Sequence, residues 1–203
     1  MAQEKSSSSA LSVRLNAYTT YAFDDNHVDS YYSTTSYFTG KVLGGFQYGG
    51  SLEIIPFSRE GFELSYLRLD SKAPMEYYNA GIQYTNFDLN QNWLMLGSNR
   101  YFKINSHLEP YAGLQLGMEI IGVTNPDNLV KNSATKFAWG IKAGVNVWAT
   151  DKIGIKIQTS LLSAVQAIGG SFYFGTGGAG AGATSYSTYY QFSVGGGLVF
   201  NIK

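Results

Sequence analysis

The sequence predicts an all-β fold: an eight-stranded, antiparallel, up-and-down transmembrane β-barrel with short periplasmic turns and long extracellular loops. Three observations predict it. Apolar and polar residues alternate through about eight segments, the period a strand imposes by pointing successive side chains to opposite faces. The links between those segments alternate in length, which gives an even-stranded barrel a short-turn end and a long-loop end. The polar face is rich in Gly, Ser, Asn, Gln and Tyr and poor in charge, a lining for a narrow lumen rather than for bulk water.

Composition agrees. Charged residues are 14% of the 203, well below the roughly 25% of a soluble domain. The length suits one large all-β domain, with residues 1–10 as a flexible lead-in and 11–203 as the barrel. A formal net charge of zero gives no pull toward nucleic acid or an anionic membrane surface. Cysteine is absent, which excludes disulfides, thiol catalysis and cysteine-ligated metals. No run of about 18 apolar residues offers a spanning helix. Met1 to Ala10 lacks an apolar signal core, so Ala2-Gln3 reads as the stub left after a secretory signal is removed.

The strands follow in order. Residues 11–23 set Leu11, Val13, Leu15, Ala17, Thr19, Tyr21 and Phe23 against Ser12, Arg14, Asn16, Tyr18 and Thr20. After a polar link, residues 37–54 carry Val42, Phe46, Tyr48, Leu52 and Ile54 against Lys41, Gln47, Ser51 and Glu53. A short link leads to residues 61–69, with Phe62, Leu64 and Tyr66 opposite Glu63 and Ser65. Residues 70–90 are read as prolonging this hairpin above the main body, although Ala80, Ile82 and Tyr84 alternate well enough to leave a separate strand over 76–88 open. In residues 91–102 the face is ambiguous, because Trp93 and Met95 compete with Leu94 and Leu96. The fifth strand opposes Leu114, Leu116, Met118 and Ile120 to Glu109, Gln115 and Glu119. The sixth opposes Phe137, Trp139, Ile141, Val145 and Val147 to Lys136, Lys142, Gly144 and Asn146. A tight turn at 149–151 leads to Ile153, Ile155, Ile157 and Leu161 against Lys156, Gln158 and Ser160. A Gly-rich link over 165–188 precedes the last strand, where Tyr190, Phe192, Val194, Leu198 and Phe200 alternate with Gln191, Ser193, Gly195 and Gly197.

The charges decide which face is inside. The apolar face carries essentially none, and aromatics recur near strand ends (Tyr21, Phe23, Tyr101, Trp148, Tyr190, Phe200), the inside-out pattern of a membrane barrel with aromatic girdles. A soluble lipocalin-like barrel is the alternative. On the polar face Arg14, Lys41, Lys142 and Lys156 balance Glu53, Glu63, Glu109 and Glu119. These eight, with Arg100, are the predicted lumen ion-pair network, since an unpaired ion would be costly there. Strand direction puts Arg14, Glu53, Glu63, Arg100, Glu109 and Lys156 near the short-turn end, and Lys41 and Glu119 higher.

The chain resembles the small eight-stranded outer-membrane proteins, the barrel domains of OmpA and OmpX. The likeness covers nearly the whole chain. It is carried by the architecture, by Glu109-Pro110-Tyr111-Ala112-Gly113-Leu114 opening the fifth strand, and by the terminal Gly197-Leu198-Val199-Phe200. Phe200 resembles the C-terminal aromatic read by outer-membrane assembly machinery, although Asn201-Ile202-Lys203 follow it. The resemblance implies the outer membrane of a Gram-negative bacterium, with membrane lipid and lipopolysaccharide as surroundings and a protein partner in the membrane or at the cell surface.

Enzymatic chemistry finds little support. The only histidines are His27 and His107, and a Ser106–His107 pair in a tight turn aligns poorly for catalysis. Asp24-Asp25-Asn26-His27-Val28-Asp29 has oxygens for a divalent cation but neither calcium-loop spacing nor its glycine. Gly175-Thr176-Gly177-Gly178-Ala179-Gly180 matches a dinucleotide fingerprint by letter yet opens no helix. The reading is therefore a non-enzymatic barrel with a sealed polar lumen, no cofactor and no metal site. Its recognition surface would be aromatic loops: Tyr31, Tyr32, Tyr77, Tyr78, Phe172, Tyr173 and Phe174, with Tyr84 and Phe87 nearby. Tyrosine pairing across extended strands is the plainer account of the same residues. A narrow channel for ions or small solutes is the alternative function, and a lipid-modifying barrel enzyme a third.

Overall fold

The computed structural model describes residues 11–25, 31–32, 37–57, 59–78, 82–165, 171–175, 178–182 and 189–202, and every regular element among them is a strand. The elements are β1 (Ser12–Ala22), β2 (Tyr31–Tyr32), β3 (Tyr37–Gly40), β4 (Gly45–Phe57), β5 (Glu60–Tyr78), β6 (Ile82–Tyr101), β7 (Leu108–Thr124), β8 (Lys131–Trp148), β9 (Ile153–Val165), β10 (Ser171–Gly175), β11 (Gly178–Gly182) and β12 (Tyr189–Asn201). Eight of them close a barrel. β1, β4, β5, β6, β7, β8, β9 and β12 pair in that order, all antiparallel, and β12 returns to β1.

The stagger of the closure sets the width. Register partners lead from Leu15 through Leu52, Leu64, Leu96, Leu116, Trp139, Ser163 and Tyr190. The β1–β12 register, continued past Ala22, brings that path back to β1's line at Asp25, ten residues beyond its start. Such a stagger tilts strands by about 35–45° and leaves an eight-stranded interior just wide enough for side chains.

The predicted alternation holds around the ring, with the apolar face outward: Leu15, Phe46, Leu64, Leu96, Leu114, Ile155 and Leu198 are all exposed. Trp93 and Met95 are wholly buried while Leu94 and Leu96 are exposed, which settles the ambiguous strand. The reading of residues 70–90 as a prolonged hairpin also matches: β5 and β6 stay paired without a break from Glu60–Arg100 to Tyr78–Ile82. Three expectations fail. Tyr101 and Trp148, read as girdle aromatics of the outward face, are buried on the inner face of the barrel. Residues 37–54 are two elements, because the ladder stops between Gly40 and Gly45, and β3 leaves the barrel line to pair with the upper part of β5. The Gly-rich link also holds the β10–β11 hairpin, where Gly and Ala concealed the alternation.

The short turns are knitted to the next strand over. Tyr101 donates its backbone N–H to the Arg59 carbonyl, Trp148 to that of His107, and Asn201 to that of Lys152, at 2.8 Å each.

Candidate functional site: the filled lumen

The lower lumen is built from ions. Arg14 on β1 reaches across to Glu109 on β7 through two hydrogen bonds, of 2.7 and 3.1 Å. Its guanidinium lies 4.8 Å from the Tyr101 ring centroid and 4.9 Å from that of Trp148, a cation held between two aromatics. Asn146 and the Trp148 indole each donate to Glu109 at 3.2 Å. One step inward, Glu53 accepts from the Tyr101 hydroxyl and from Asn99 at 2.7 Å, and Glu63 accepts from Asn99 and Lys142. Gly61 makes this possible, because a Cβ there would collide with the Glu53 carboxylate. Lys156 is wholly buried and sets its ammonium 4.8 Å over the Tyr111 ring, while the Tyr111 hydroxyl donates to Gln158.

Above the ions the filling changes. Tyr18, Leu67, Trp93, Met95, Ala138, Leu162 and Ala164 form an apolar cluster across the bore. A belt of amides sits beside it: Thr20 donates to Gln47, Gln47 to Gln191, and Gln191 to Gln91. At the same height Glu119 on β7 stands directly opposite Lys136 on β8, both buried. Higher still, Ala73, Met75, Phe87, Leu89 and Val123 make a second apolar cluster within the prolonged hairpin.

Of the predicted network, Arg14, Glu53, Glu63, Glu109, Glu119, Lys142 and Lys156 are buried in the lumen. Lys41 and Arg100 are not. Lys41 lies in the broken stretch before β4, exposed, with its ammonium 3.9 Å from Asp24. Arg100 shares the outward parity of Leu94 and Leu96 and pairs with Glu60 outside the barrel. The fourth interior cation is Lys136, whose parity with Lys142 was the available signal. Among the described residues the lumen thus holds four glutamates and four cations.

The loop aromatics divide. Phe87 is buried in the upper cluster, whereas Tyr84 is 73% exposed, and the nearby Glu76 carboxylate holds its phenol above the ordinary range. The side chains of Tyr31, Tyr32, Tyr77, Tyr78, Phe172, Tyr173 and Phe174 lie outside the described residues, as does His27. Ser106 Oγ is 3.0 Å from His107 Nδ1, but Glu109 is committed to Arg14 and does not orient the imidazole. Of the fingerprint-like glycines, Gly175, Gly178 and Gly180 lie in the paired strands β10 and β11 rather than at a strand–helix turn.

No protein-family model and no curated protein matches the chain. Solved structures do. Neisserial surface protein A aligns at 14% identity and a TM-score of 0.58, over 95% of this chain and 97% of the other. The outer membrane protein OprG from Pseudomonas aeruginosa aligns at 12% identity and a TM-score of 0.56, over 94% and 95%. The fold is that of the small outer-membrane β-barrels.

Proposed function

We propose that the protein is a non-enzymatic barrel of the bacterial outer membrane whose lumen is sealed. In this reading it anchors a Tyr-rich loop surface in a structural or recognition role, and it suits the part of an accessory subunit in a larger envelope complex. The observation that carries the reading is the filling of the bore at successive heights by described residues: ions at the short-turn end, then an apolar cluster with an amide belt, then a second apolar cluster. A water-filled path would have to part balanced ion pairs and dry packing in series, and each is costly to open. The exposed apolar wall supports lipid as the outer solvent, since a water-facing surface would leave it as a very large unpaid patch. The long loops would then meet lipopolysaccharide and surface partners.

Planar-bilayer recording of the folded chain tests this. The expected result is no steady conductance, together with a band shift between boiled and unboiled samples on a detergent gel. Steady, sizeable conductance would overturn the sealed lumen and favour the channel. Absence of the band shift would count against the membrane barrel itself.

A further inference from the structure

The zero net charge conceals a polarity. The lumen cancels internally, with four charges of each sign. At the long-loop end the described carboxylates outnumber the cations six to four. Among the described residues of the short-turn end the balance reverses: Arg59, Arg100, Lys103 and Lys152 face only Glu60 and Asp151. Glu60 answers Arg100, so the cations Arg59 and Lys103 are left over on neighbouring turns. Those turns are tied together where Tyr101 donates to the Arg59 carbonyl. Lys103 is flanked by Phe102, 54% exposed, and Ile104, 65% exposed. Cations interleaved with bare apolar side chains are the composition of a membrane-interface anchor.

Directly above this cluster the outer wall is grooved. The groove measures about 580 Å³ and ends at Arg100 and Glu60. Its floor is one register row, Ala112–Ala143–Thr159, that continues from Arg100 across β7, β8 and β9. Leu114, Ile141, Leu161 and Phe192 form the parallel row that walls it on the upper side. A charged cluster at one end of an apolar trench in a lipid-facing wall has the shape and polarity of one lipid molecule.

We propose that this is a binding site for an anionic phospholipid, with its headgroup phosphate on Arg59 and Lys103 and an acyl chain along the groove over Ala112 and Ala143. The site rests on the membrane placement proposed above. Its headgroup lies at the short-turn end, so the lipid belongs to the leaflet facing the periplasm. The site discriminates by charge, because a zwitterionic headgroup brings its own cation to Arg59 and Lys103.

The test is lipid retention by the folded full-length chain in detergent, read by native mass spectrometry. Phosphatidylglycerol and phosphatidylethanolamine with identical chains are offered in equal amounts. A cation beside an anionic lipid is worth about fivefold in binding. Phosphatidylglycerol is therefore expected to be retained at least about fivefold over its competitor. The R59Q/K103Q variant is expected to erase that preference, while K72Q/K131Q at the opposite end leaves it intact. A143F, which fills the groove, is expected to lower retention of both lipids without changing their ratio. Equal retention by the unaltered chain overturns the site, as does a preference that survives in R59Q/K103Q or a second copy of the chain retained in place of lipid. The gel shift reports the barrel separately, so a shifted band with equal retention removes the lipid site alone.

Discussion

Below the level of Lys142 the lumen is filled by ions, and above it the filling is Trp93, Met95, Leu67 and Leu162 with a belt of glutamines. Both fillings occupy one bore of constant strand number, so the difference is chemical rather than geometric. Ions are strong fillers only when every partner is present, because each carries a large desolvation penalty that its neighbours must offset. Apolar side chains fail more gradually, by the volume lost. The lower plug therefore depends on complete sets of partners, and the upper plug on complete volume.

Removing one partner is the sharpest way to break the contrast. Glu109→Ala takes both hydrogen bonds from Arg14 and the acceptor from Asn146 and Trp148. The expected loss is about 3–5 kcal/mol from the uncompensated arginine alone, the largest of the set, read as a fall in urea midpoint for the barrel refolded in lipid vesicles. The double variant Arg14→Met/Glu109→Leu should recover most of it, since replacing both ions by apolar groups is often neutral. If the double variant is as unstable as Glu109→Ala, the pair matters for shape and not for charge.

In the upper plug no such rescue is available. Trp93→Ala leaves a void among Leu67, Met95 and Leu162, all buried, and should cost about 3–5 kcal/mol. It loses none of the hydrogen-bond acceptors lost with Glu109, so its effect falls below that of Glu109→Ala. Regaining volume with Trp93→Phe should restore about half or more of that, by the same proportionality to lost volume. If Trp93→Ala leaves the urea midpoint unchanged, the upper cluster is not what holds that part of the bore.

The same contrast explains what could be read from the sequence. Face assignment is local: Leu15, Leu64, Leu114 and Leu198 betray the outer wall by parity alone, and Arg14, Glu63, Glu109 and Lys156 follow on the other side. Parity fails where the ladder breaks. By parity Lys41 falls in with β4 across Gly44 and Gly45, but the strand starts at Gly45 and the stretch before it is out of phase, with Val42 packed against the upper cluster and Lys41 exposed. Arg100 depended on choosing between Trp93 and Leu94, two large apolar residues that alternation alone cannot rank. Pairing across the bore was not legible at all. Nothing in the spacing of Arg14 and Glu109 says that they meet, because the closure of the sheet and its ten-residue stagger bring them together.

The remaining pair separates the two fillings most finely, because it sets opposite charges on facing strands at the height of the apolar plug. Glu119 is wholly buried and Lys136 is nearly so, facing it across the β7–β8 ladder. If charge content governs, Glu119→Gln should behave as Glu109→Ala does. If position governs, the effect should be smaller, because Lys136 stands two residues above Ala138 toward the long-loop end and its flexible stem can carry the ammonium upward to water. Position is expected to win: Glu119→Gln keeps the shape and one acceptor, and should cost about 1–2 kcal/mol in the same unfolding measurement. Adding Lys136→Met should then gain back little, since the lysine has already relieved itself. A loss as large as that of Glu109→Ala, rescued by Lys136→Met, would show instead that the ions of this lumen are sealed in at both heights alike.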